Sequence, residues 1–263
     1  MTVNRKKYIV ANWKMHLTVQ ESSLLLHRLN EHIDIHRDVE VVLAPSMLAV
    51  QPLSVEINHR KFKLAVQDAY PKDEGNYTGE VSFTMLGDLV QYAIVGHSAR
   101  RLYFNETLEL VRDKVTAAVR NGIVPIVCIG ETEQERNNGE SRQVIHDQLT
   151  TALMNLTSRD LDNVILVYEP VWAISTENGI KANPDEVREM IAYMRMQVRE
   201  LYGDKIAENI SVLYGGSVDD HDIAGYLEVA GVDGALIGAA SLNYKQFSSM
   251  VSIAHKLNTR APN

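Results

Sequence analysis

The residues best placed to do chemistry begin at Glu169, which closes the apolar run Val164-Ile165-Leu166-Val167-Tyr168 and is followed at once by Pro170, Val171 and Trp172. The run reads as a buried strand. Pro170, with no N–H and a fixed φ, ends it. A carboxylate on the last rigid position before a loop has firm support behind it and a movable cover in front, which is the placement a general base needs. A strand-end glutamate can equally pair with a surface lysine, so the rest of the chain must choose. Other polar groups follow other apolar runs: Asn12 and Lys14, Gln67 and Asp68, His97 within Gly96-His97-Ser98-Ala99-Arg100-Arg101, and Glu131 after Gly130. His97 has the chemistry to hydrogen-bond a substrate oxygen as an acid or electrophile. Lys14, beside Asn12, suits a positive charge that stabilises an oxyanion; the ordinary alternative is a solvated surface lysine.

Two turns of small residues, Gly215-Gly216-Ser217 and Gly238-Ala239-Ala240-Ser241, each lead into a predicted helix. Such turns let backbone N–H groups approach an anion, and the helix dipole favours it. Singly, each is an ordinary tight turn. As a pair they suit a phosphate. The chain has no Walker motif and no dinucleotide fingerprint, so the phosphate belongs to a substrate rather than a nucleotide. His32 and His36, four apart, could bind a metal if helical, but without an accompanying ligand set they read as surface histidines.

The elements that must hold these groups alternate along the chain. Eight short β-rich runs occur at 8–11, 39–43, 63–66, 92–95, 123–129, 164–168, 210–214 and 234–237. Most are continuous rather than alternating, as strands covered on both faces are. Between them the periodicity predicts helices over 19–33, 108–119, 144–156, 186–201, 219–229 and 242–257, with a short third crossover at 82–89. The first is expected to turn Leu24, Leu25, Leu26 and Leu29 inward. Asn183, Pro184, Asp185 and Glu186 form a helix start: an N-cap, a first-turn proline and acidic residues at the positive end. Eight strand–helix units in 263 residues predict an α/β chain folded as one (β/α)8 barrel domain over residues 1–263. A doubly wound sheet would show a glycine fingerprint after the first strand, where Asn12-Trp13-Lys14-Met15 stands instead.

Net charge is −8, which argues against nucleic acid or an anionic membrane as a general partner. No apolar run approaches the roughly 18 residues of a membrane span, and the N-terminus has no signal-peptide core. Cys128 is the one cysteine, so no intrachain disulfide forms, and a cytoplasmic location is expected.

The segments Asn12-Trp13-Lys14-Met15, Tyr77-Thr78-Gly79-Glu80, Gly96-His97-Ser98, Cys128-Ile129-Gly130-Glu131-Thr132, Tyr168 to Ile174, Tyr214-Gly215-Gly216-Ser217-Val218 and Gly238-Ala239-Ala240-Ser241-Leu242 resemble those of the triosephosphate isomerases, in order and over nearly the whole chain. The resemblance implies a cofactor- and metal-independent aldose–ketose isomerase of glyceraldehyde 3-phosphate and dihydroxyacetone phosphate, a step of glycolysis and gluconeogenesis. It makes Glu169 the base and a neutral His97 the electrophile, roles known for the family. Lys14 and Asn12 would hold substrate and enediolate, and N–H groups near Ser175, Ser217, Gly238 and Ala239 would bind phosphate. The family is typically a homodimer, in which the loop bearing Tyr77, Thr78 and Glu80 inserts beside the neighbour's Asn12 and Lys14.

Four departures stand out. Ala99 replaces a usual glutamate near the lysine, Asp68 a usual asparagine near the dimer loop, and Ala239 a usual glycine in the phosphate turn. The lid, Ser175 to Ala182, is about two residues longer than the family pattern, with Asn178-Gly179 as a turn signal. The alternatives are an isomerase of a tetrulose phosphate, with the altered lid admitting the extra carbon, and a non-catalytic phosphosugar-binding barrel. A binding role needs no base, which separates that last reading from the others.

Overall fold

The computed structural model describes residues 5–174 and 180–260. Its strands fall on the eight apolar runs: β1 (Lys7–Asn12), β2 (Val39–Ala44), β3 (Phe62–Val66), β4 (Tyr92–Val95), β5 (Val124–Ile129), β6 (Ile165–Tyr168), β7 (Ser211–Tyr214) and β8 (Gly234–Ile237). They pair in parallel in chain order, and β8 returns to β1, Val10 opposite Leu236, to close a (β/α)8 barrel.

Side chains alternate across each strand, which divides the core in two. Val10, Val42, Ala65, Ile94, Ile126, Val167, Leu213 and Leu236 fill the lumen. Their neighbours, such as Ile9, Val41, Leu64, Leu166 and Ile237, pack outward under the helices. Carried one step further, the same parity places Asn12, Gln67, Gly96, Gly130, Glu169, Gly215 and Gly238 in the uppermost inward layer. Four of those seven are glycine. The close approach is real at Gly130, where a Cβ would lie 1.9 Å from the Glu169 carbonyl oxygen.

The long outer helices are α1 (Val19–His32), α2 (Met47–Glu56), α5 (Leu108–Arg120), α7 (Ser141–Leu153), α8 (Pro184–Tyr202) and α11 (Tyr244–Arg260). Shorter turns of helix are α3 (Phe83–Leu86), α4 (Ser98–Phe104), α6 (Glu133–Asn137), α9 (Asp204–Asn209) and α10 (Ile223–Leu227). The start of α8 is as the sequence predicts: Asn183 caps the Asp185 N–H and Glu186 bonds back to the Asn183 N–H. In α1, Leu25, Leu26 and Leu29 are buried, but Leu24 is 50% exposed, contrary to expectation. Three successive leucines span some 200° of a helix, so one must leave the inner face. The helix expected over 219–229 shrinks to α10. The Asp219 N–H donates to Asp222 Oδ1 and the His221 N–H to Asp219 Oδ1, so side chains take the amides that a helix would use. His36 lies beyond the end of α1, so the four-residue interval to His32 is not a helical one.

Candidate active site

Glu169 follows β6 and is 2% exposed. Its N–H donates to the Ile129 carbonyl at the end of β5, which fixes its backbone. Its carboxylate accepts from the Ser98 N–H at 2.9 Å through Oε2 and lies 2.9 Å from His97 Nε2 through Oε1. Burial pushes the carboxyl up, while the hydrogen bonds from His97 and the Ser98 N–H and the more distant Lys14 draw it down, and the net direction is below the usual carboxylate range. It is therefore ionised at neutral pH.

His97 follows β4 and caps α4. The Ala99 N–H donates to its Nδ1 at 3.2 Å. A ring nitrogen that accepts carries no proton, so the hydrogen-bond pattern assigns a neutral ring with the proton on Nε2, toward Glu169. This contact uses only the main chain of residue 99, which the Glu-to-Ala departure from the family pattern leaves intact.

Lys14 has φ +53° and is positioned through its backbone. Its N–H donates to Asn12 Oδ1 at 3.0 Å, and its carbonyl accepts from Gln67 Nε2 at 2.8 Å. Gln67 also reaches the Ala44 carbonyl, so the ends of β1, β2 and β3 share one bracket. The Lys14 stem crosses the face of Gly238, where a Cβ would stand 3.4 Å from Cε.

Asn12, Lys14, His97 and Glu169 line one cavity of about 330 Å³ at the C-terminal mouth of the barrel, together with Ser217, Gly238 and Ala239. The size falls at the lower end for ligand sites. The Ser217 N–H is engaged, donating to the Ala173 carbonyl at 2.9 Å, so an anion that takes this amide must displace the lid's first hinge. Ala239 opens a short turn without a positive φ, so its N–H is presented much as glycine's would be. Ser175, the expected fourth phosphate ligand, and the Asn178-Gly179 turn lie outside the described residues. The first hinge is held by Glu131, whose Oε1 accepts from Trp172 Nε1 at 2.8 Å and Tyr168 OH at 3.1 Å.

Three polar cavity residues, Lys181, Asp219 and Gln246, were not legible as such. Lys181, read only as part of the lid, lines the cavity and pairs with Asp219 at 2.8 Å and with Asp222, which ties the second hinge to the loop after β7. Gln246 also lines it, from the first turn of α11. The one cue was position: Lys181 precedes Ala182 at the lid's second hinge.

Tyr77, Thr78 and Glu80 stand exposed on the loop between β3 and α3, closed at its base by the Tyr70–Ser82 bridge. Below it, Asp68 pairs with Lys114 Nζ at 2.7 Å and Arg100 Nε at 2.9 Å, and both cations also reach buried Glu106. Burial raises the Asp68 carboxyl to about 6; Lys114 opposes this and Glu106 adds to it. A raised carboxylate costs stability above its folded pKa, and the cost fades as pH falls toward its unfolded value of 3.8. Asp68→Asn is therefore expected to shift Tm more favourably at pH 8 than at pH 4. Thermal melts of both proteins at the two pH values test this, and a gain that grows toward pH 4 contradicts it.

Fold and site together define a (β/α)8 barrel with an acid–base constellation at its C-terminal mouth. A family model described as triosephosphate isomerase matches residues 7–254. The chain is 39% identical over 249 residues to the triosephosphate isomerase of Clostridium tetani (strain Massachusetts / E88), covering 94% of this chain and 96% of that one. It is 38% identical over 248 residues to that of Carboxydothermus hydrogenoformans, covering 94% and 98% respectively. The chain belongs to the triosephosphate isomerase family.

Proposed function

We propose that the chain interconverts D-glyceraldehyde 3-phosphate and dihydroxyacetone phosphate through an enediolate, as an aldose–ketose isomerase of glycolysis and gluconeogenesis. Its relatives carry that enzyme's name. One observation carries the reading: a buried, ionised Glu169 faces the Nε2–H of a neutral His97, with Lys14 in the same cavity. A binding protein has no use for such an ionised base.

In the reaction, the substrate carbonyl oxygen takes the Nε2–H that Glu169 now accepts. The freed carboxylate removes a proton from the adjacent carbon, and the C–H electron pair becomes the double bond of the enediolate. Lys14 stabilises the developing negative charge. His97 moves the proton between the two oxygens, and Glu169 returns its own to the neighbouring carbon. Asn12 acts by accepting from the Lys14 amide, which sets the lysine's direction. Phosphate binds at the amides of Ser217, Gly238 and Ala239, with Ser175 supplied by the lid. Taking the Ser217 amide from Ala173 couples phosphate capture to movement of the hinge.

The same reading makes residues 1–263 a single catalytic domain and the assembly a homodimer in the cytoplasm. Met15, next to Lys14, is 94% exposed, and Leu102, Tyr103 and Phe104 of α4 are 62–73% exposed in the isolated chain, an unusual apolar surface for a monomer. No helix among the described residues is long and apolar enough to cross a membrane.

The test is isomerisation of three-carbon and four-carbon sugar phosphates side by side. The three-carbon substrate is expected to show the higher kcat/KM, by roughly 10-fold or more, since one carbon unit in a fitted pocket is worth about that much. Faster turnover of the four-carbon substrate replaces this reading with the tetrulose phosphate one.

A further inference from the structure

At the opposite pole of the barrel the fold brings one side chain from far away in sequence to two near neighbours. His36 and Asp38 lie in the link between α1 and β2, and His255 lies on α11. The imidazoles of His36 and His255 stack with centroids 4.1 Å apart. His255 Nδ1 lies 2.8 Å from Asp38 Oδ1 and 3.0 Å from Oδ2. One ligand atom from each of the three residues lies within 4.8 Å of the other two. We propose that His36, Asp38 and His255 bind one divalent transition-metal ion of the zinc, cobalt or nickel class.

The donor chemistry selects that class. Two imidazoles and one carboxylate suit zinc and its neighbours, whereas magnesium and calcium prefer all-oxygen shells. Imidazole binds metal in its neutral form. Ligands about 2.0–2.2 Å from an ion lie about 3.3 Å from each other in a tetrahedral shell. The His255–Asp38 pair, now in hydrogen-bond contact at 2.8 Å, must therefore open slightly, while donors as far apart as 4.8 Å must close by an ångström or so. The surroundings permit that. The side chains of His255 and Asp38 are 36% and 27% exposed, so they can turn, an ion can reach them, and water can complete the shell. The Asp38 backbone is meanwhile pinned: its carbonyl accepts from the Lys7 N–H at 2.9 Å and from Asn258 Nδ2 at 3.2 Å. Asn258 lies three residues after His255 on α11, so the helix that offers the ring also fixes the partner loop.

An ion held here would join the link entering β2 to the last helix, across the seam where β8 meets β1. It would be a clip on the closure of the barrel, remote from Glu169 and unconnected with the isomerisation. Because the unfolded chain separates these residues, the ion binds the folded state and raises its stability by mass action.

The experiment is calorimetric titration of the full-length protein with zinc chloride, paired with thermal melts, for the wild type and His36→Asn. That variant leaves the Asp38–His255 contact in place, so it is expected to fold with an unchanged metal-free Tm. The wild type should bind one equivalent that the variant binds at least 10-fold more weakly. Its Tm should rise by about 3–5 °C for each tenfold of free ion above the dissociation constant, with a smaller rise in the variant. If His36→Asn loses stability without metal, His255→Gln takes its place under the same criteria. Equal affinity in wild type and variant, which would place the zinc on other histidines, or no binding at all overturns the proposal.

Discussion

Replacing Glu169 by aspartate is expected to lower kcat on the order of 10²-fold in both directions of the reaction. The change keeps the charge and shortens the side chain by one methylene, which withdraws the carboxylate by about 1 Å. The backbone cannot follow it, because the Glu169 N–H is tied to Ile129 and Pro170 follows directly. Proton abstraction from carbon demands close approach along a defined line, and a displacement of this size is enough to lose it. The smaller side chain fits the space, so Tm should change little. Steady-state kinetics with either triose phosphate checks the prediction, and an unchanged rate would remove Glu169 from the mechanism.

Lys14→Met is expected to reduce kcat/KM by at least on the order of 10²–10³, the cost of losing one preorganised group at a developing oxyanion. Methionine keeps most of the apolar stem that crosses Gly238 and removes only the charge. The fold should survive, since Asn12 and Gln67 hold residue 14 through its N–H and C=O, which methionine also has. The left-handed backbone at φ +53° is shared by both side chains. Kinetics and a thermal melt together decide the matter: a large fall in Tm would make Lys14 structural, and retained activity would remove it from the site.

What could be read without coordinates follows from local physics. The strands were legible because a strand covered on both faces is a continuous apolar run, and the start of α8 because Asn183, Pro184 and Glu186 each satisfy a local need of a helix end. Glu169, His97 and Lys14 were legible because they sit at strand ends, where parity and chain direction fix their pole. The failures are of two kinds. Leu24 and the shortened α10 are local, decided by which residue of three faces in and by Asx turns that outcompete a helix. α2 went unread because Pro52 interrupts its pattern. The others are long-range. Lys114 looks like a surface residue of an amphipathic helix until β3 brings Asp68 to it, 46 positions away in sequence. His36 has no carboxylate-and-histidine set until α11 packs against the β2 entrance.

The glycines of the uppermost inward layer have a consequence for how this molecule can change. Gly215 and Gly238 line the cavity without side chains, so that part of its wall is backbone and cannot be reshaped by rotamer adjustment. At Gly130 a methyl would meet the Glu169 carbonyl at 1.9 Å, and at Gly215 one would lie 2.6 Å from Val167 Cγ1. Mutation there can only subtract room or displace the base. At these glycines nothing remains to be trimmed, since glycine is already the limit. Adaptation to a longer substrate is therefore closed at these glycines and has to come from the side chains and loops around them.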